Sequence, residues 1–200
     1  MSNIQQMIGT PLGDIQVRVT GADRVVMDVI KPEVQLPAGM AVDSLVAVLI
    51  QISASEPLSD LRCECTWDQS PATGNPESGE CLDAQSWDCD GHRVTIGTED
   101  FELLSRRLPI LGLTEAEYPD IYSDSGLAIV IPTVPRDTEF SLHFVIAWRS
   151  VPDPDDCATW FAVDIPHAKL EEANKSWVAT ADKLHCSLRS VSPAPPCHHI

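Results

Sequence analysis

Basic residues are scarce in this chain, and long apolar runs are missing. Thirteen Lys and Arg face thirty Asp and Glu in 200 residues, for a formal net charge of −17. Arg106 and Arg107 form the one adjacent basic pair, so the clustered cations that grip a phosphate backbone or an anionic membrane are absent. Nucleic acid and membrane are therefore not expected as partners. No stretch approaches the roughly eighteen apolar residues of a membrane-spanning helix. No glycine-rich phosphate loop occurs, and no serine sits in a nucleophile elbow. Met1 to Thr20 holds no basic segment followed by an apolar run, so the chain reads as soluble and cytoplasmic.

What the chain does have is alternation. Phe140, Leu142, Phe144, Ile146 and Trp148 interleave with Ser141, His143, Val145, Ala147 and Arg149. A period of two puts every large apolar group on one face of a strand, where burying each is worth roughly 1.5–3 kcal/mol. The same pattern recurs at Ile15–Val19, Arg24–Ile30, Val46–Ile52, Leu61–Trp67, Arg93–Ile96, Leu127–Ile131 and, over a shorter span, Phe161–Ile165. Val34 to Leu36 continues the Arg24–Ile30 strand past Pro32, and Pro37-Ala38-Gly39 marks a turn. The runs 46–52 and 61–67 read as a hairpin-like pair.

Asp68 to Ser86 contains Pro71, Gly74, Pro76 and Gly79 with almost nothing apolar, and reads as a long surface loop. Thr98 is placed to cap a short helix bearing Phe101, Leu104 and Leu108, and Thr114 with Glu117 has capping-box spacing. From Pro166, Leu170, Ala173, Trp177, Ala181 and Leu184 recur at three- and four-residue spacing. Glu171 and Glu172 lie near the start of this run and Lys183 and His185 near its end, which suits the dipole of an amphipathic helix over 166–185.

About seven to nine strands with turn signals between them, and no βαβ rhythm, predict a mainly β, antiparallel β-sandwich with short helical insertions and a C-terminal helix. Residues 1–13 read as a lead-in, 14–189 as one domain and 190–200 as a flexible tail. The strand, Pro-containing loop and strand over 44–67, and the Leu127-Ala-Ile-Val-Ile-Pro-Thr-Val-Pro-Arg-Asp-Thr138 lead-in to the 140–149 strand, resemble immunoglobulin-like sandwiches in general. Such a resemblance carries fold and no function.

Seven cysteines are many for a cytosolic chain of this size. Cys63, Cys65, Cys81, Cys89 and His92 offer soft ligands for zinc, which takes four from Cys and His at about 2.0–2.3 Å. Cys63 and Cys65 also alternate with polar neighbours beside Leu61 and Trp67, which makes them candidate core thiols, and a disulfide within the cluster is the third alternative. Asp88, Asp90 and His92 share one face of an extended backbone, the arrangement of a divalent metal or acid–base site and equally of a solvated face. Asp153, Asp155 and Asp156, with Asp120 and Asp124, are candidates for calcium or a plain acidic turn. Ser141 and His143 lie on one strand face with parallel side chains, which argues against a hydrolase triad. The terminal Cys197-His198-His199 would take copper or nickel adventitiously.

Trp87, if exposed beside 68–86, would anchor a protein or a sugar ring. The reading that follows is an acidic, non-catalytic, cysteine-rich interaction module. It binds a protein partner through 68–86 and the adjacent sheet edge, with Trp87, Asp88, Asp90 and His92 as binding residues. The alternative is a metal-dependent enzyme or a small-molecule binder. Its site would lie near Asp88, Asp90 and His92, or in a pocket between the sheets that holds a small apolar ligand.

Overall fold

The computed structural model describes residues 4–79, 81–114, 122–150 and 157–175. Among these residues eleven strands build two antiparallel sheets: β1 (Ile4–Thr10), β2 (Gly13–Thr20), β3 (Arg24–Ile30), β4 (Ser44–Ala54), β5 (Leu58–Trp67), β6 (Asn75–Gly79), β7 (Leu82–Cys89), β8 (His92–Glu99), β9 (Tyr122–Ser123), β10 (Gly126–Val134) and β11 (Thr138–Ser150). Two helices, α1 (Phe101–Arg107) and α2 (Ala158–Val163), follow β8 and β11. Residues 167–175 form a third, α3. The five-stranded sheet runs β1-β2-β5-β10-β9 and the six-stranded sheet β3-β4-β11-β8-β7-β6.

The two sheets pack face to face. Phe140, Leu142, Phe144 and Ile146 of β11 meet Ile15, Val17, Leu61, Cys63, Cys65, Ile129 and Ile131 in one continuous core. The interior is filled by side chains, with Trp87 and Phe144 among the largest fully buried groups.

A second core lies on the opposite face of the six-stranded sheet. There Leu45, Ala47, Val145, Ala147, Leu82 and Ala84 are covered by Ala162 and Val163 of α2, by Ile165 and by Leu170 of α3. This explains why β4 is apolar on both faces at its start and polar only from Gln51 onward. Gly97 is what lets α2 come this close, because a Cβ there would stand 2.7 Å from Val163 Cγ2. The result is three layers: sheet, sheet and helices.

Residues 4–10 of the expected lead-in form β1, in register with β2 from Ile4↔Val19 to Thr10↔Gly13. Only Ile8 of that edge strand is buried, so it leaves no period in the sequence. β4 and β5 are not a hairpin. β4 pairs with β3 and β11, β5 pairs with β2 and β10, and the connection 55–57 crosses between sheets. The expected 68–86 loop contains β6 and much of β7, paired from Asn75↔Ser86 to Gly79↔Leu82. β7 buries Ala84, Gln85 and Ser86, small or polar residues that do not announce a strand.

The expected Phe161–Ile165 strand does not form: Phe161 to Val163 belong to α2, which buries Ala158, Thr159, Ala162 and Val163 at helical spacing, and Asp164 and Ile165 follow it outside any element. Residues 34–36 form no strand; Val34 and Leu36 pack instead against the outer core. The cap of α1 is Asp100 rather than Thr98, its carboxylate accepting from Leu103 N at 2.8 Å. α3 agrees with the expected C-terminal helix as far as residue 175. Trp177, the rest of that helix, the tail, Glu117 of the Thr114–Glu117 capping box, Asp120 and the acidic run at 153–156 lie outside the described residues.

Candidate functional site

Where the helical layer meets the polar half of the six-stranded sheet, α3 lays a histidine and a carboxylate over β11. Ser141 and His143 project from the outer face of β11, the same face as Val145 and Ala147. Glu99 ends β8 and is 5% exposed, His143 is 2% exposed and His167 is 4% exposed. Three polar groups so deeply enclosed must satisfy one another.

They do so as a chain. His143 Nδ1 and His167 Nδ1 are 2.8 Å apart. His167 Nε2 and Ser141 Oγ are 2.7 Å apart, and the Ser141 hydroxyl donates to Glu171 Oε1 at 3.1 Å. Glu99 Oε2 stands 4.0 Å from His143 Nδ1. Arg107, from the last turn of α1, donates from Nε to Glu99 Oε1 at 2.8 Å and Oε2 at 3.0 Å, and from a terminal nitrogen to Oε2. The same guanidinium donates to the Ser141 carbonyl at 2.9 Å, tying α1 to β11. Thr98 Oγ1 donates to the His143 carbonyl at 2.7 Å.

Burial holds the His143 imidazole well below its ordinary pKa, and the nearby His167 and Arg107 push the same way. His167 is lowered first by burial and then by Arg107, with Glu99 and Glu171 pulling back. Both rings are neutral near pH 7, so each carries one N–H. One arrangement gives every contact a donor. His143 Nδ1–H donates to His167 Nδ1, His167 Nε2–H donates to Ser141 Oγ, and the serine donates to Glu171.

The chain of contacts opens on a cleft. A pocket of about 310 Å³ is walled by Ser141, Glu171, Glu139, Gln51, Asn174 and Lys175. It shares Ser53 and Glu139 with a second depression of about 420 Å³ that reaches Arg24 and Asp137.

The residues singled out from sequence fall elsewhere. Trp87 is fully buried and packs edge-on against Trp67 at 5.5 Å, which removes it as a surface anchor. Asp88, Asp90 and His92 do not line one extended face, because the backbone reverses between β7 and β8 with Asp90 at φ 48° and Gly91 at φ 74°. Asp88 instead takes two hydrogen bonds from Arg93, at 2.7 and 2.9 Å, and His92 Nδ1 lies 3.1 Å from the Asp90 carbonyl. Cys63 and Cys65 sit in the inter-sheet core on β5, whereas Cys81 precedes β7 and Cys89 ends it, in the other sheet. The structure therefore does not gather the four cysteines into one ligand set. Ser141 and His143 do run parallel on β11, and the imidazole that meets Ser141 is His167 from α3.

Burial pushes the Cys63 thiol up to about 12, aided by Glu64, and pushes Cys65 up further. Alkylation of the folded protein at pH 8 is expected to label the exposed Cys157 and to leave Cys63 and Cys65 untouched. Peptide mass mapping checks this, and labelling of either core thiol before denaturation would show that the sheets part readily.

Glu99 and His167 were not legible as site residues. His167 and Glu171 carry a helical i,i+4 spacing, but nothing local says that their helix lies over Ser141 and His143. No family model, curated protein or solved structure matches this chain. Fold and site together define a two-sheet antiparallel β protein with a buried histidine–carboxylate cluster beneath a helical layer.

Proposed function

We propose that this chain is a binding protein, immunoglobulin-like in type, that holds a small ammonium-bearing molecule in the cleft beside Ser141. The observation that carries this reading is the wall itself. Ser141 and Glu171 come from the hydrogen-bonded chain, so their positions are set from beneath before a ligand arrives. Glu139 adds a second carboxylate and Lys175 a single cation, leaving the lining acidic. A formal net charge of −17 strengthens the pull on cations and repels anions. A pocket of about 310 Å³ suits a ligand of amino-acid or amino-sugar size.

A thermal-shift screen of amines, amino acids and neutral sugars tests it. A saturable rise is expected for ammonium-bearing compounds, approaching 2.7 kcal/mol of added stability at about one hundred times Kd. Glu171→Gln and Glu139→Gln should each weaken the ligand about tenfold. A screen without any saturable shift, or one unchanged by both substitutions, would end this reading.

A second reading keeps the expected protein partner. β6 is an edge strand of the six-stranded sheet with Asn75, Pro76, Ser78 and Gly79 accessible, and it carries Glu77. Pro76 has no N–H to offer, which disfavours an added strand and leaves side-chain contact with a basic surface. Glu171→Gln would leave that interaction untouched.

A further inference from the structure

Glu99, His143 and His167 place one carboxylate oxygen and two imidazole nitrogens within 4.8 Å of one another, the one such group of three among the described residues. We propose that these side chains form a site for a single divalent transition metal of the zinc class, set between the six-stranded sheet and α3. The site lies beneath the cleft and shares Ser141 and Glu171 with its wall, but an ion there requires no cleft ligand.

The distances are close to what an ion needs. Two nitrogens on a tetrahedral ion at about 2.0–2.1 Å stand about 3.3 Å apart. Here His143 Nδ1 and His167 Nδ1 are 2.8 Å apart, and Glu99 Oε2 is 4.0 Å from His143 Nδ1. An ion would part the rings by about half an ångström and draw the carboxylate about 0.7 Å closer to His143, with its separation from His167, now within 4.8 Å, closing as well. Both shifts lie within the reach of side-chain torsions.

The chemistry of the donors agrees. Two neutral imidazoles and one carboxylate form the ligand set of open zinc sites, in which a fourth position takes water. A calcium ion, which takes six to eight oxygens, is poorly served by this set. Metal-bound histidines normally donate their second nitrogen to an oxygen that orients the ring. His167 Nε2 faces Ser141 Oγ at 2.7 Å and Glu171 Oε1 at 3.5 Å, which supplies that partner. Arg107 holds both oxygens of Glu99 and so orients the third ligand, which moves toward the ion by its own torsions. Binding requires both imidazole protons on Nε2, so the ring now donating from Nδ1 changes tautomer with no net loss of a proton. Arg107 opposes another positive charge, and Glu99 with Glu171 supplies the two negative charges that offset it.

The test uses the full chain with Cys197→Ser, His198→Asn and His199→Asn, so that the terminal Cys-His-His run does not compete. The protein is stripped with chelator and titrated with Zn²⁺ by calorimetry. The expected result is one Zn²⁺ per chain, a higher Tm when it is bound, and zinc-edge X-ray absorption that shows nitrogen and oxygen neighbours only. Glu99→Gln and His167→Asn should each weaken binding at least tenfold. If His167→Asn does not fold, Glu99→Gln, which keeps the side-chain shape, decides the matter. Absence of stoichiometric binding in this background, sulfur among the zinc neighbours, or unchanged affinity in Glu99→Gln would overturn the proposal.

Discussion

Trp87→Ala is expected to cost about 3–5 kcal/mol, the range for truncating a buried aromatic. Trp87 is fully buried at the end of β7 and packs edge-on against Trp67, with centroids 5.5 Å apart and planes at 79°. Its removal would strip one face from the inter-sheet core and also leave Trp67 without its aromatic neighbour. For a chain of this size the loss corresponds to a fall in Tm of roughly 6–20 °C. Trp87→Phe should cost much less than the alanine change. Phenylalanine keeps most of the apolar area and drops an indole N–H that has no hydrogen-bond partner among the described residues. Thermal and urea denaturation of the two variants check this. A tryptophan serving as a surface anchor would instead give an alanine variant with nearly unchanged stability.

Arg107→Ala is expected to be the costliest change in the polar layer, about 3 kcal/mol. The guanidinium is 22% exposed and Glu99 only 5%, so the carboxylate left behind would be nearly out of water with no cation to face. The same substitution frees the Ser141 carbonyl, which Arg107 Nη1 meets at 2.9 Å. A Glu99→Gln change in the Arg107→Ala background should recover part of the loss, because it removes the stranded charge. A double-mutant cycle read by urea denaturation measures that coupling, with 1–3 kcal/mol expected. Simple additivity would show that Glu99 and Arg107 do not act as a pair.

Strands with one strongly apolar face were legible from the alternation of large side chains: β11, β5, β2 and β10 stand close to where the spacing puts them. Elements were lost where burial falls on small or polar groups, as in β7 with Ala84 and Ser86, or on one side chain, as in β1 with Ile8. Phe161, Val163 and Ile165 carry the period of a strand, whereas α2 buries mostly small side chains, Ala158, Thr159 and Ala162 with Val163, and leaves Phe161 exposed. Strand pairing is set by contacts far apart in the chain, so the proximity of β4 and β5 in sequence does not make them partners. The site is hidden from local pattern for the same reason on a larger scale. Glu99, Arg107, Ser141, His143 and His167 come from four elements, and only the fold of the helices over the outer sheet face makes them neighbours.

The two-faced burial of β4 and β11 changes what the polar residues of the site do for folding. A strand apolar on one face declares its register, because a shift by one residue turns that face to water. β4 from Leu45 to Ile50 is buried on both faces, and so is β11 from Val145 to Ala147, so oiliness alone hardly tells one alignment from the next. Ser141 and His143 break that degeneracy. One step of slippage would drive both between the sheets, away from His167 and Glu171. The cluster beneath α3 is thus also the key by which the central strands recognise their correct alignment.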